Sequence, residues 1–201
     1  EKILFGSIDL LQLVSLLVLV ICLGLIYTRL YPKYQKASVI ISMGSNYEPN
    51  QSLYRAKQLI QNNFKILNNS SRYVTQDINK DSKTANFLNQ VIEIETDKPV
   101  NALIKDLKNI EKEVGRQHSN KHIVVLDLDL LTYGGEVFQF DGKSIPAHDM
   151  IKYRYLAIPL AEMLPGFRHP ANGRTIQEIL DRITDDSQVA LLNEEESGLK
   201  K

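Results

Sequence analysis

Two aspartates spaced two residues apart interrupt the apolar run Ile123-Val124-Val125-Leu126-Asp127-Leu128-Asp129-Leu130-Leu131, and this run constrains the fold more than any other feature of the chain. A short stretch rich in β-branched and leucine side chains reads as a strand. Side chains alternate across a strand, so Asp127 and Asp129 project from one face, about 7 Å apart along the backbone at ~3.3 Å rise per residue. Like charges so placed repel. A divalent cation relieves the repulsion, because hard carboxylate oxygens suit magnesium. The competing reading is that the pair lies at the solvent end of a half-exposed strand and carries no chemistry.

The segments around this strand alternate in period. Ser38 to Met43 reads as a strand broken by Gly44-Ser45-Asn46, and Pro49 precedes a helix from about Asn50 to Phe64 with Leu53, Ala56, Leu59 and Ile60 on one side. Ile66 to Thr75 is a weaker strand, Gln76 to Asn86 a polar loop, and Phe87 to Thr96 a cleanly alternating strand. Pro99 opens a second helix that places Leu103, Ile104, Leu107, Ile110 and Val114 at helical spacing and stops at Gly115. After the aspartate strand, Gly134-Gly135 is expected to turn the chain into a partner strand at Glu136 to Phe140. A helix around Tyr155 to Met163, the turn Pro165-Gly166 and a closing helix from Thr175 to about Ile183 follow. The order β-α-β-β-α-β predicts an α+β fold, a ferredoxin-like sandwich with an extra C-terminal hairpin and helices.

Before this domain, Leu10 to Tyr27 holds only Gln12 and Ser15 as polar interruptions, the composition of a single apolar helix. About 20 such residues span a membrane core, and Arg29, Lys33 and Lys36 follow, so the reading is an anchor in the inner membrane through residues 10–27 with everything after it in the cytoplasm. The other reading is a buried core helix or an extension foreign to the working domain. The division expected is 1–36 as the apolar segment, 37–184 as the working domain and 185–201 as a flexible charged tail. With 24 basic and 24 acidic residues the chain lacks the basic footprint of a nucleic-acid binder. Its single cysteine, Cys22, excludes a disulfide framework and a cysteine zinc site. The four histidines, His118, His122, His148 and His169, have no zinc-ligand spacing, and His169-Pro170 reads as a turn.

Gly44-Ser45-Asn46, Phe87-Leu88-Asn89, Glu111 with Gly115-Arg116, Leu126 to Leu131, Pro146, Pro159-Leu160 and His169-Pro170 follow one another in an order and spacing that resemble the 6-hydroxymethyl-7,8-dihydropterin pyrophosphokinases of folate biosynthesis. The resemblance covers about Ser38 to Ile183. It implies transfer of a diphosphate from ATP to the hydroxymethyl group of a reduced pterin with two magnesium ions, an ATP-dependent diphosphokinase whose partners are small molecules. It further implies that Asp127 and Asp129 hold both metals, with Arg116 completing the catalytic set. Asn46, Asn89 and Tyr155 fall at positions lining the pterin pocket. Glu111, Arg116, Lys121 and His148 fall on the nucleotide side. The chain departs from the family pattern in the loop before the aspartate strand, where Val124 replaces an arginine, and after Pro146, where Ala147 replaces a histidine. These departures define the second expectation, a catalytically weak membrane-anchored relative that binds a nucleotide, pterin or protein partner. In either case the chain is expected to be a monomer or weak dimer.

Overall fold

The computed structural model describes residues 10–30, 36–76, 85–115 and 122–192, and separates the chain into two units, residues 1–35 and 36–201. The first unit contains helix α1 (Leu10–Leu30), whose side chains from Leu11 to Ile26 are all exposed. Among the described residues no helix is long and apolar enough to cross a membrane. The anchor expected through residues 10–27 is therefore not supported.

The second unit is built on an antiparallel sheet. Its strands are β1 (Ala37–Ser45), β2 (Lys65–Asn69), β3 (Tyr73–Thr75), β4 (Phe87–Thr96), β5 (Asp127–Tyr133) and, late in the chain, β8 (Val189–Leu191). Their order is β5-β1-β4-β3-β8, with β2 also paired to β4. With helices α2 (Pro49–Asn63) and α3 (Val100–Val114) inserted, this is the ferredoxin-like α+β sandwich that the alternation of periods predicts. Val39, Ile41 and Met43 of β1, Ile92 and Ile94 of β4 and Leu128 of β5 turn to one face, where Leu53, Ala56 and Ile60 of α2 and Leu103, Leu107 and Ile110 of α3 bury them. The opposite face carries Ile40, Val91 and Leu131, covered by Leu156, Ala157 and Leu160 of α4 (Arg154–Met163) and by Ile176 and Ile179 of α5 (Ile176–Leu180). Each fully buried leucine or isoleucine contributes about 1.5–3 kcal/mol, so both layers stabilise the sheet.

Local signals set the helix ends. Pro99 precedes α3, and Gly115 closes it at φ 119°, a left-handed conformation that costs a residue without Cβ nothing. Thr175 caps α5 in a reciprocal capping box with Glu178.

Three elements differ from the sequence reading. The single strand expected over Ile66 to Thr75 is two, because buried Ser70 leaves the ladder and exchanges bonds with Val91 and Gln90 instead. The partner expected for the aspartate strand at Glu136 to Phe140 pairs elsewhere. There, β6 (Phe138–Phe140) forms a separate hairpin with β7 (Lys143–Ile145) across Asp141 and Gly142, whose φ values of 49° and 74° are those of a tight Asp-Gly hairpin turn. Finally, the segment read as a loose tail from residue 185 is structured in its described part. Asp185 accepts a hydrogen bond from the Arg154 amide at 3.0 Å, and β8 pairs with β3.

Candidate active site

The uncovered end of the second sheet face forms a cleft, and strand register decides what lines it. Asp127, Gly44 and Asn89 are directly paired across β5, β1 and β4, with Asp129, Ser42 and Val91 in the next row. All six therefore share one face. Gly44 keeps the floor open, since a Cβ there would lie 3.1 Å from the Asn89 Oδ1. The two aspartates are half-buried between the buried Leu126, Leu128 and Leu130 rather than enclosed, and the Asp129 side chain is 43% exposed.

Three cavities meet at Asp129. One of about 210 Å³ lies over the first row, between Asn89, Thr75, Phe87, Val124, Asp127 and Tyr155. A second, about 320 Å³, runs from Ser42 and Asp129 past Lys143 to His148, Asp149 and Tyr155. The third, about 170 Å³, lies between α3 and the hairpin, walled by Ile104, Leu107, Leu128, Phe140 and Ile145 with Lys108 and Lys143 at its margin. Tyr155 stands between the first two. It sits in the first turn of α4, a helix fastened at both ends. Asp185 holds its N-terminus, and Glu162 accepts hydrogen bonds near its C-terminus from the Ser71 amide and hydroxyl and from the Tyr73 hydroxyl on β3. Burial, and the nearby Asp149 and Asp129 carboxylates, keep the Tyr155 phenol protonated far above its ordinary range.

Electrostatics single out Asp129. Burial, and then Asp127, push its carboxyl above the ordinary aspartate range, while Lys143 opposes the shift with Nζ 3.2 Å from Oδ1. From behind, the Glu111 side chain, 2% exposed, accepts the Leu128 amide at 2.8 Å and Lys108 Nζ at 2.7 Å. That amide lies between the two aspartates in sequence, so α3 fixes the strand that presents them.

The expected site residues that the structure describes fall in three kinds of place. Asp127, Asp129, Asn89 and Tyr155 line the first cavity, and His148 lines the second. Asn89 is 7% exposed and donates through Nδ2 to the Thr75 hydroxyl at 2.7 Å. Asn46 does not face the cavity. Its amide clamps the loop before β5, accepting from the Val124 amide at 2.6 Å and donating to the His122 carbonyl at 2.8 Å, so it shapes the wall only through Val124. Glu111 is a brace behind the strand and lines none of the three cavities. Arg116 and Lys121 lie outside the described residues. Lys143, Lys108 and Ser42 were missed. The Asp141-Gly142 dipeptide was the signal for Lys143, because a tight turn there sends the next residue back along the sheet edge.

The fold and site define an α+β, ferredoxin-like domain with two carboxylates at an open sheet end, flanked by an aromatic-walled cavity and a lysine-lined one. A family model for 7,8-dihydro-6-hydroxymethylpterin-pyrophosphokinase (HPPK) matches residues 40–165, and the chain belongs to that family. It is 30% identical over 155 residues to the 2-amino-4-hydroxy-6-hydroxymethyldihydropteridine pyrophosphokinase of Haemophilus influenzae, covering 75% of this chain and 96% of the relative. With the Aquifex aeolicus enzyme of the same name it shares 28% identity over 144 residues, 71% of this chain and 89% of the relative. The crystal structure of Plasmodium falciparum HPPK-DHPS with pteroate shares the fold at a TM-score of 0.60 and 13% identity, over 74% of this chain and 44% of that one. The chain thus spans less than half of that larger protein.

Proposed function

We propose that the chain transfers the diphosphate of ATP to the hydroxymethyl group of 6-hydroxymethyl-7,8-dihydropterin, releasing AMP, a reading supported by relatives named as pyrophosphokinases of that pterin. The observation that carries this reading is the row Asp127, Gly44, Asn89 across the floor of a cavity that shares Asp129 with two others. In this reading the pterin lies over Gly44 with an edge on the Asn89 amide and its ring against Tyr155. An amide offers both donor and acceptor to such a ring edge, and an aromatic side chain offers a stacking face. The apolar cavity between α3 and the hairpin takes the adenine, and the cavity lined by Lys143 and His148 takes the phosphates.

The donor set fits magnesium. Among the described residues no group of three or more histidine, cysteine or acidic side chains is placed to hold a metal, and Asp127 and Asp129 supply carboxylate oxygens only. Magnesium is commonly bound by one or two carboxylates together with substrate phosphates and water. The raised pKa of Asp129 marks a charge that such a cation relieves. When bound there, two magnesium ions supply charge neutralisation at the diphosphate. The protein's own part is positioning. Glu111 holds the Leu128 amide and so the spacing of the carboxylates, and Tyr155 and Asn89 orient the hydroxymethyl oxygen toward the β-phosphorus. For Arg116, outside the described residues, the phosphate role rests on the family resemblance alone. An ATP co-substrate favours action in the cytoplasm.

The test is a coupled assay of AMP release from ATP, hydroxymethyl-dihydropterin and magnesium. The parent chain is expected to turn over, and Asp127→Ala and Asp129→Ala to lose at least about a hundredfold in kcat/KM, or ~2.7 kcal/mol of transition-state stabilisation. No AMP above background from the parent overturns the proposal.

A further inference from the structure

Among the described residues, few cations line the cleft. Among the described residues, the ammonium groups lining the cavities that meet at Asp129 belong to Lys108 and Lys143. Lys108 is committed, its Nζ 2.7 Å from the buried Glu111 carboxylate. Lys143 is held differently. Its contact is the 3.2 Å pair with Asp129 Oδ1, its side chain is 75% exposed, and it follows the Asp141-Gly142 turn at the tip of a two-stranded hairpin. An exposed pair of this kind is weak and easily exchanged. The lysine lines both the second and the third cavity, so it reaches either side of Asp129 from one backbone position.

We propose that Lys143 is a phosphate-binding residue that trades partners during nucleotide binding. In the ligand-free chain its ammonium neutralises Asp129; when a divalent cation takes that carboxylate, the ammonium swings to the phosphate oxygens of the nucleotide. The exchange keeps the cleft near charge balance in both states. It makes Lys143 a competitor of the metal when nucleotide is absent and a partner of the nucleotide when the metal is present. No bond is made or broken in the exchange. This inference rests on the diphosphokinase reading and adds to it a residue with opposite effects on two ligands.

The opposite signs supply the test. Lys143→Met keeps the length of the side chain and removes its charge, and at an exposed position it leaves the fold intact, which a thermal melt verifies. Calorimetry on the full chain then measures two affinities, one for manganese alone and one for a non-hydrolysable ATP analogue with saturating magnesium. Relative to the parent, Lys143→Met is expected to bind manganese about three- to tenfold more tightly and the analogue about tenfold more weakly, with adenosine unaffected. Lys143→Arg restores most of the analogue affinity, because the guanidinium retains the charge and the reach. A parent that binds the analogue, beside a Met variant with unchanged affinities for both ligands, overturns the role of Lys143 and leaves the enzyme reading standing. A Met variant in which both affinities fall together also overturns it, since a structural role moves them in the same direction. A parent that binds manganese but not the analogue overturns the nucleotide reading itself, and the partner exchange with it.

Discussion

Asp129 is a carboxylate of the cleft whose ionised form the fold disfavours. Burial and the neighbouring Asp127 raise its pKa above the ordinary 3.8, and Lys143 offsets only part of that penalty. A carboxylate whose folded pKa is raised favours the folded state below the unfolded value and loses that contribution as pH rises through the folded value. Asp129→Asn cannot ionise and escapes the loss. Urea midpoints of parent and variant are therefore expected to converge near pH 3.8 and to separate above it, with the Asn variant the more stable at neutral pH although inactive. An Asn variant of equal or lower stability across that range counts against the penalty. The aspartate pair was legible because a strand's alternation needs no tertiary information, and Asn89 was legible as a polar residue inside an apolar strand. Asn46 and Glu111, expected in the site, brace backbone in this structure, and the sequence does not separate that role from ligand binding because both use the same atoms. Only the partners tell them apart, Val124 and His122 for one and Leu128 for the other.

The contact of α3 with β5 shows how an element, rather than a residue, sets the site. The helix was readable from Pro99, its apolar spacing and Gly115; that its last full turn supplies the acceptor for the Leu128 amide was not. Glu111→Ala strands a buried amide and the Lys108 ammonium together, a cost of about 1–3 kcal/mol. In a chain of this size that lowers Tm by roughly 3–10 °C. Glu111→Gln retains an acceptor and should lose about a third as much. Manganese affinity is expected to fall with Tm in both variants, because the strand that presents the carboxylates loses its brace. A Glu111→Ala chain with normal stability and normal manganese affinity would show that α3 does not position the strand. Hairpin β6–β7 carries the opposite lesson. The glycine pair at 134–135 looked like the turn, yet the chain reverses at Asp141-Gly142, where two consecutive positive φ angles match the twist of the flanking strands.

At the scale of the whole molecule, both cores, the sheet and all three cavities lie within residues 36–201, and α1 belongs to the other unit. The elements that complete the site reach further toward the C-terminus than periodicity indicated. Asp185 caps the helix that carries Tyr155, and β8 extends the sheet beside β3. Both were illegible because a three-residue edge strand and a lone capping carboxylate leave almost no periodic trace. Two truncations separate these contributions. A chain of residues 36–201 is expected to keep its Tm and its kcat/KM within about twofold of the full chain, since it retains every contact described for the site. A chain ending at residue 184 loses the acceptor for the Arg154 amide, a cap of the kind worth ~1 kcal/mol, along with the β3 pairing of β8. Its Tm is expected to fall by about 2–4 °C or more, and its KM for the pterin to rise more than its KM for ATP, because Tyr155 is the side chain that α4 delivers to the cavity proposed for the pterin. An equal rise in both constants would mean that the C-terminal segment supports the fold as a whole rather than the pterin wall.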